Sequence, residues 1–417
     1  MARQRDSGTN KPFDIILWGA TGFVGALVAG YLVSNDENGK IQWALAGRNR
    51  DKLEALKKQL GKKASARAVL VADTSDPKSL DDLVSQTRVI LTTVGPYARF
   101  GSELVAACAR NGTDYCDLAG ETPWIQRMID AHQEEAEESG ARIVPCCGFD
   151  SIPSDLGVLF LNNEVRKRTG APCTFIKMRV KAMKGGASGG TVASMVNIVE
   201  EATRDRAVAK MLSNPYALNP KDQRKGPRQP GSTPIGYDSD ARAWIGPFVM
   251  AAINTRVVHR SNALMNCAYG KEFRYDEAMM TGKGLLGGAA SIALTGALGA
   301  FAAATAFGPT RGLLTRYVLP KAGEGPSETA REKGMFDLLF IGQARDGQIF
   351  RARVTGDRDP GYGSTAKMIS EAAICLAHET DHKDVPGGFW TPASAMGTRL
   401  IDRLVRNAGL TFDMLEN

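Results

Sequence analysis

The sequence predicts an α/β protein in which an N-terminal doubly wound parallel sheet is followed by a second domain of α+β type. Three observations predict it. From residue 13, short apolar runs alternate with amphipathic ones in a single direction, the rhythm of parallel strands joined by crossover helices. The first alternation, "FDIILWGATGFVGALVAGYL" (13–32), sets glycines at 19, 22 and 25 between a strand-like and a helix-like run. After about Leu156 the rhythm gives way to mixed β-rich, Gly-rich and Pro-rich stretches.

Taken in order, "DIILWG" reads as a strand and "VGALVAGYLVS" as a helix; "QWALAGR" is a strand and "DKLEALKKQL" a helix. "ARAVLVAD" is a third strand, and "PKSLDDLVSQ" a helix with Pro near its start. "RVILTTVG", "TDYCDLAG" and "ARIVPCCG" supply three more strands, separated by the helices "SELVAACARNG" and "WIQRMIDAHQEEAEESG". These bound a first domain at residues 12–156. The second domain, 157–361, begins with β-rich "FIKMRVKAM", passes a glycine run at 185–191 and another β-rich piece, "TRVVHRSNAL", and ends in "MFDLLFIGQARDGQIFRARVTG". That last stretch is a hairpin turning at Asp346-Gly347, because alternating apolar runs flank a turn dipeptide. A strong helix, "STAKMISEAAICLAHE", with Ser364 as candidate N-cap, opens the segment 362–417.

Composition narrows the function classes. With 417 residues, 43% hydrophobic and 23% charged, the chain can bury two cores, which excludes disordered and fibrous classes. The formal charge is +7, but the basic residues are scattered. The one cluster, "KDQRKGPR" (221–228), lacks interleaved aromatics and reads as a solvated loop, so no nucleic-acid partner is expected. Seven cysteines without CxxC spacing suggest neither a disulfide frame nor a zinc knuckle. The polar N-terminus carries no apolar signal core, and the expected compartment is a reducing cytoplasm. "NGT" at 111–113 is then a helix-ending turn and not a glycosylation site. One stretch strains this picture: residues 284–307 carry no charge over a length that could cross a bilayer. Most of them are Ala and Gly, so the readings are a buried or dimer-packing helix, peripheral docking on a membrane, and a true span.

The glycine pattern points to a cofactor. A strand ending at Gly19 and a helix beginning near Gly22 aim backbone N–H groups at one point, and missing side chains let a pyrophosphate reach them. The spacing is GxxGxxG, still in the strand–turn–helix context of a Rossmann-type dinucleotide site. Gly19, Ala20, Thr21, Gly22, Phe23, Val24 and Gly25 are therefore candidate cofactor contacts. At the end of the second strand, "AGRNR" offers Arg48 where an NAD site would carry a carboxylate. A guanidinium there suits the 2′-phosphate of NADP(H). Asp73 could hold the adenine amino group, and Val94, Gly95, Pro96 and Tyr97 close the fourth strand beside the nicotinamide ribose. Tyr97 either lines that pocket or polarises a substrate; Asp150, after the sixth strand, either donates a proton or caps the next helix.

Two further patterns are weighed. "YVLPK" (317–321) matches a Tyr-x-x-x-Lys pair, which needs a continuous helix that Pro320 would break. "HETDH" (378–382) matches HExxH of zinc hydrolases, but it falls at a helix end running into "KDVPGG"; no metal site is expected.

Together the blocks "DIILWGATGFVG", "ALAGRNRDKL", "TTVGPYARFGSELVAACARNGTDYCDLAGE", "CGFDSIPSDLG", "GGASGGT" and "GYGSTAKMISEAA" resemble the saccharopine-dehydrogenase-like oxidoreductases, specifically their trans-acting enoyl reductase branch. The resemblance implies an NADPH-dependent enoyl reductase acting on a lipid or polyketide-type acyl substrate, small or carrier-borne. It also implies that 362–417 returns to the first domain, and it gives residues 284–307 a lipid or plasma-membrane surface to touch. Where saccharopine enzymes proper read closer to Gly-x-Asp-Pro-Gly, this chain has "GFDSIPSD" (148–155), which puts their amino-acid clamp in doubt. An imine-forming amino-acid dehydrogenase and a non-catalytic NADP-binding partner in lipid metabolism are the alternatives.

Overall fold

The computed structural model describes residues 11–36, 39–186, 189–231, 235–317 and 325–416. Six parallel strands come first: β1 (Phe13–Trp18), β2 (Trp43–Gly47), β3 (Ala68–Val71), β4 (Thr87–Thr92), β5 (Asp114–Cys116) and β6 (Arg142–Val144). Their spatial order is β6-β5-β4-β1-β2-β3. Residues 15–18 and all of β2 are buried, because helices cover both faces of the sheet, and this is why these strands read as unbroken apolar runs. The helices start where the sequence provides caps. The Asn49 side chain accepts from Lys52 N at 2.9 Å ahead of Arg50–Gln59, and Asp76 accepts from Lys78 N at 3.1 Å ahead of Pro77–Val84.

The chain steps outward from β1 to β3, then returns to lay β4 on the other flank of β1. The connections leaving β1 and β4 therefore diverge, opening a crevice at their carboxyl ends.

A second sheet comprises β7 (Phe175–Lys184), β8 (Gly236–Asp238), β9 (Ala243–Pro247), β10 (Arg274–Gly282), β11 (Met335–Gln343) and β12 (Ile349–Gly356), in the order β12-β11-β7-β10-β9-β8. β7 and β10 run parallel and the other neighbours antiparallel. β11 and β12 form the hairpin predicted from Asp346-Gly347. The C-terminal segment divides between the sheets. Helix Thr365–His378 packs on β1, β4 and helix Phe23–Asn35. Strand β13 (Gly388–Phe389) pairs parallel with β6, whereas β14 (Leu410–Leu415) pairs antiparallel with β12.

Several expectations change here. Residue 156 is not a boundary in the chain path: it lies inside helix Ile152–Thr169, which carries the first domain into the second by packing on β11, β12 and β14. Nor does 362–417 belong to one domain, since β14 completes the second sheet. "TRVVHRSNAL" is helical, within Ala251–Leu264; its polar residues Arg256, His259, Arg260, Ser261 and Asn262 are buried along with its apolar ones, so the sequence shows no apolar-inside, polar-outside period. Ser364 stands at the N-cap position of Thr365–His378 but makes no capping bond; the side-chain cap is one turn earlier, where the Asp359 carboxylate accepts from Tyr362 N (3.0 Å) and Gly363 N (2.9 Å) ahead of Pro360–Ser364. The Ser364 hydroxyl is buried and finds no partner among the described residues. Residues 284–306 form one helix that rests on Trp244 of β9 through Gly287 and Gly288. It is not a buried helix: its other face leaves Leu285 93%, Leu286 86% and Ile292 68% exposed. In length and apolar composition it is sufficient to cross a membrane.

Candidate functional site

The crevice between β1 and β4 opens into a cavity of ≈ 530 Å³ roofed by the second domain. One end is a backbone cradle. Gly19 sits at φ +84°, and a Cβ there would meet Val94 at 2.4 Å. Gly22 precedes helix Phe23–Asn35 and donates to Gly19 O at 3.0 Å. A Cβ on Gly25 would lie 2.2 Å from Gly19 O, so the third glycine lets the helix pack against the turn and not against a ligand. Thr93 N closes the cradle by donating to Trp18 O at 3.2 Å.

Of the sequence candidates, Gly19, Thr21, Gly22, Phe23, Val24, Arg48, Val94, Gly95, Tyr97 and Asp150 line the cavity together. Ala20, Gly25 and Pro96 are outside its wall and shape the turns behind it. Asp73 is also outside, with Thr74 lining in its place. One Asp73 oxygen accepts from Ser75 N (2.9 Å) and the Ser75 hydroxyl (2.8 Å), bonds that hold its carboxyl below the usual range. Arg48 is exposed, with no hydrogen bond or ion pair among the described residues, so its guanidinium is free for an anion. Asn49, its neighbour, is committed to capping. The cradle that side chains would fill and the uncommitted Arg48 beside it fit a dinucleotide carrying a 2′-phosphate.

At the other end the two proposed catalytic groups differ. The Tyr97 hydroxyl donates to Thr92 O (3.2 Å) and accepts from Leu118 N (3.0 Å). Burial first, and then the Asp117 charge, pushes its pKa far up, so the ring is wall and the proton belongs to the fold. Asp150 faces the cavity; burial and the neighbouring Asp117 raise its carboxyl to about 7. Asp117 itself is buried and raised to about 6, although it accepts from Tyr115 Oη (2.8 Å), Ala119 N (2.8 Å) and Cys146 N (3.0 Å).

The second domain contributes what sequence reasoning missed. Met183, Met195, Ile198, Phe248, Met250 and Ile253 make the roof apolar. Gly185, Gly186, Gly189 and Gly190 bring bare backbone to it, while Ala187 and Ser188 of the same run lie outside the described residues. Among the described lining residues Arg48 is the one Arg or Lys, so no second-domain cation faces the nicotinamide end. Glu121 was also missed, because no spacing rule marks a single acid before a helix.

Two patterns remain. The tyrosine of "YVLPK" is the last described residue of helix Gly308–Tyr317, and residues 318–321 are outside the described set. In "HETDH" the helix ends at His378; Glu379 pairs with Arg403 at 2.5 Å, and His378 lies 3.6 Å from Asp14.

This architecture is shared with known proteins. Residues 15–144 match the saccharopine dehydrogenase NADP binding domain. The fold as a whole resembles apo saccharopine dehydrogenase (L-Glu forming) of Saccharomyces cerevisiae, with a TM-score of 0.56 at 12% identity over 97% of this chain and 100% of that one. The site thus defines an NADP-dependent oxidoreductase of the saccharopine dehydrogenase-like class. A relative from Mycobacterium tuberculosis is 40% identical over 407 residues, 95% of this chain and 96% of its own length. Another, from Mycobacterium ulcerans, is 39% identical over 412 residues, 95% and 97% of the two chains, and is named trans-acting enoyl reductase. The chain belongs to the trans-acting enoyl reductase family.

Proposed function

We propose that the chain reduces a polarised C=C bond of an apolar acyl substrate, free or carrier-borne. The observation that supports this most is the pairing within one cavity of a glycine–Arg48 cradle with a Met/Ile/Phe roof. An amino-acid substrate would need a cation for its carboxylate, and the described roof offers none.

NADPH, when bound, supplies hydride to the β-carbon. The residues do the rest. Gly19 and Gly22, whose own amides are spent on Ala46 O and Gly19 O, would leave room for the pyrophosphate to reach the first-turn amides of helix Phe23–Asn35, Arg48 would grip the 2′-phosphate, and the loop from Val94 to Tyr97 would border the nicotinamide side. The second-domain roof excludes water. Asp150, with a carboxyl at about 7, keeps a proton near neutral pH and delivers it to the α-carbon. Incubation with NADPH and an α,β-unsaturated thioester, following loss of NADPH absorbance, tests the reading. Oxidation of amino acids with NADP⁺, in place of enoyl reduction, would favour the amino-acid dehydrogenase alternative.

The uncharged, exposed face of Gly284–Ala306 supports a cytoplasmic enzyme that touches a lipid surface peripherally, with a homodimer through that face as the competing arrangement.

A further inference from the structure

Glu121 is 2% exposed and stands at the N-cap of helix Thr122–Ser139. Its carboxylate takes three donors. Oε1 accepts from Tyr97 N at 2.7 Å and from the Ser194 hydroxyl at 2.8 Å, and Oε2 accepts from Ala98 N at 3.0 Å. Tyr97 and Ala98 begin the short helix that ends the Val94–Tyr97 loop; Ser194 lies on helix Gly189–Arg204 of the second domain, and Tyr97 and Ser194 both line the cavity. One buried group therefore joins the cofactor-side wall to the roof.

The roof helix is arranged for this. Ser194, Asn197 and Glu201 fall at i, i+3 and i+7, on one face. Each meets the first domain: Ser194 meets Glu121, Asn197 accepts from Arg99 at 3.3 Å, and Glu201 pairs with Arg127. Met195 and Ile198 line the cavity. The two outer contacts are exposed and so hold weakly, whereas the Glu121–Ser194 contact is part-buried, against a Glu121 that is itself 2% exposed.

We propose that Glu121 and Ser194 are a positioning pair: Glu121 fixes the backbone of the nicotinamide-side loop, and through Ser194 it sets the distance from that loop to the substrate roof. The inference rests on the reductase reading for its kinetic consequence, but the contact itself can be tested without substrate. Ser194→Thr keeps the hydroxyl, and Ser194→Val has the same shape without it. Replacing Ser by Val is expected to lower kcat about tenfold with NADPH Kd unchanged, and replacing it by Thr to restore most of the loss. Glu121→Gln, which cannot accept at both atoms, is expected to weaken NADPH binding as well. Hydrogen–deuterium exchange reads the same split: faster exchange at 190–204 in Ser194→Val, and at both 190–204 and 94–101 in Glu121→Gln. Equal exchange and equal kcat in the Val and Thr variants would overturn the pair. The same exchange differences in the variants, with a wild type that reduces no enoyl thioester, would leave the pair standing and remove the reductase reading.

Discussion

Replacing Asp150 by Asn removes the proposed proton donor and a partly buried titrating group that faces the cavity in one step, so two independent readouts follow. Asp150 has a carboxyl raised from 3.8 to about 7, mainly by burial and secondarily by Asp117. Because the folded value lies above the unfolded one, the ionised form is disfavoured in the folded protein; the cost is absent below the unfolded pKa and grows as pH rises toward the folded one. At about 1.36 kcal/mol per pH unit, the carboxyl costs about 1.6 kcal/mol at roughly pH 5 and about 4 kcal/mol at roughly pH 8. Asn carries no such cost. The stability advantage of Asp150→Asn over wild type, from urea midpoints of the cofactor-free protein, should therefore widen by about 2–3 kcal/mol between those two pH values. Enoyl reduction should move the other way. The wild-type rate should fall as pH rises through about 7 and the acid is lost; the variant should be slower by roughly 10²–10⁴-fold and lack that limb. A variant with wild-type kcat and an intact alkaline limb would refute Asp150 as donor. A stability difference that does not change with pH would refute the raised, neutral carboxyl.

Other perturbations address the cradle and the surface. Arg48→Ala should weaken NADPH roughly tenfold and leave NADH unchanged, read by cofactor fluorescence titration; equal binding of both cofactors by wild type would defeat the 2′-phosphate assignment. Gly25→Ala puts a Cβ 2.2 Å from Gly19 O, so the turn must shift, at a cost of about 3 kcal/mol visible as a lower melting temperature and lost NADPH binding. Leu285→Ser combined with Leu286→Ser should reduce co-sedimentation with anionic lipid vesicles without changing NADPH affinity. If instead the double variant only changes the sedimentation mass of the free protein, the helix serves a dimer.

The placing of the candidate cofactor residues at one cavity was legible in the linear sequence. Gly19, Gly22, Arg48 and the Val94–Tyr97 loop all sit immediately after strands, and a parallel sheet must bring strand carboxyl ends to one edge. The role of Asp73 was not legible, because whether its carboxylate faces the crevice or its own turn depends on the local bonds to Ser75. The helical state of residues 251–264 was hidden for a different reason. Polar and apolar side chains are buried together in that helix, which removes the contrast between faces that period-based reading depends on.

What the sequence determined by itself is the local chemistry: strand–glycine–helix alternation, a guanidinium where a carboxylate would exclude NADP, and an uncharged 23-residue helix. The tertiary structure decided what those pieces meet. It brought Met183, Phe248 and Ile253, spread over some seventy positions, into one roof; it turned the Tyr97 hydroxyl inward while leaving Asp150 facing the cavity; and it set Ser194 against Glu121, 73 residues away. Contacts at such separation are fixed by how two sheets pack, which no local pattern encodes.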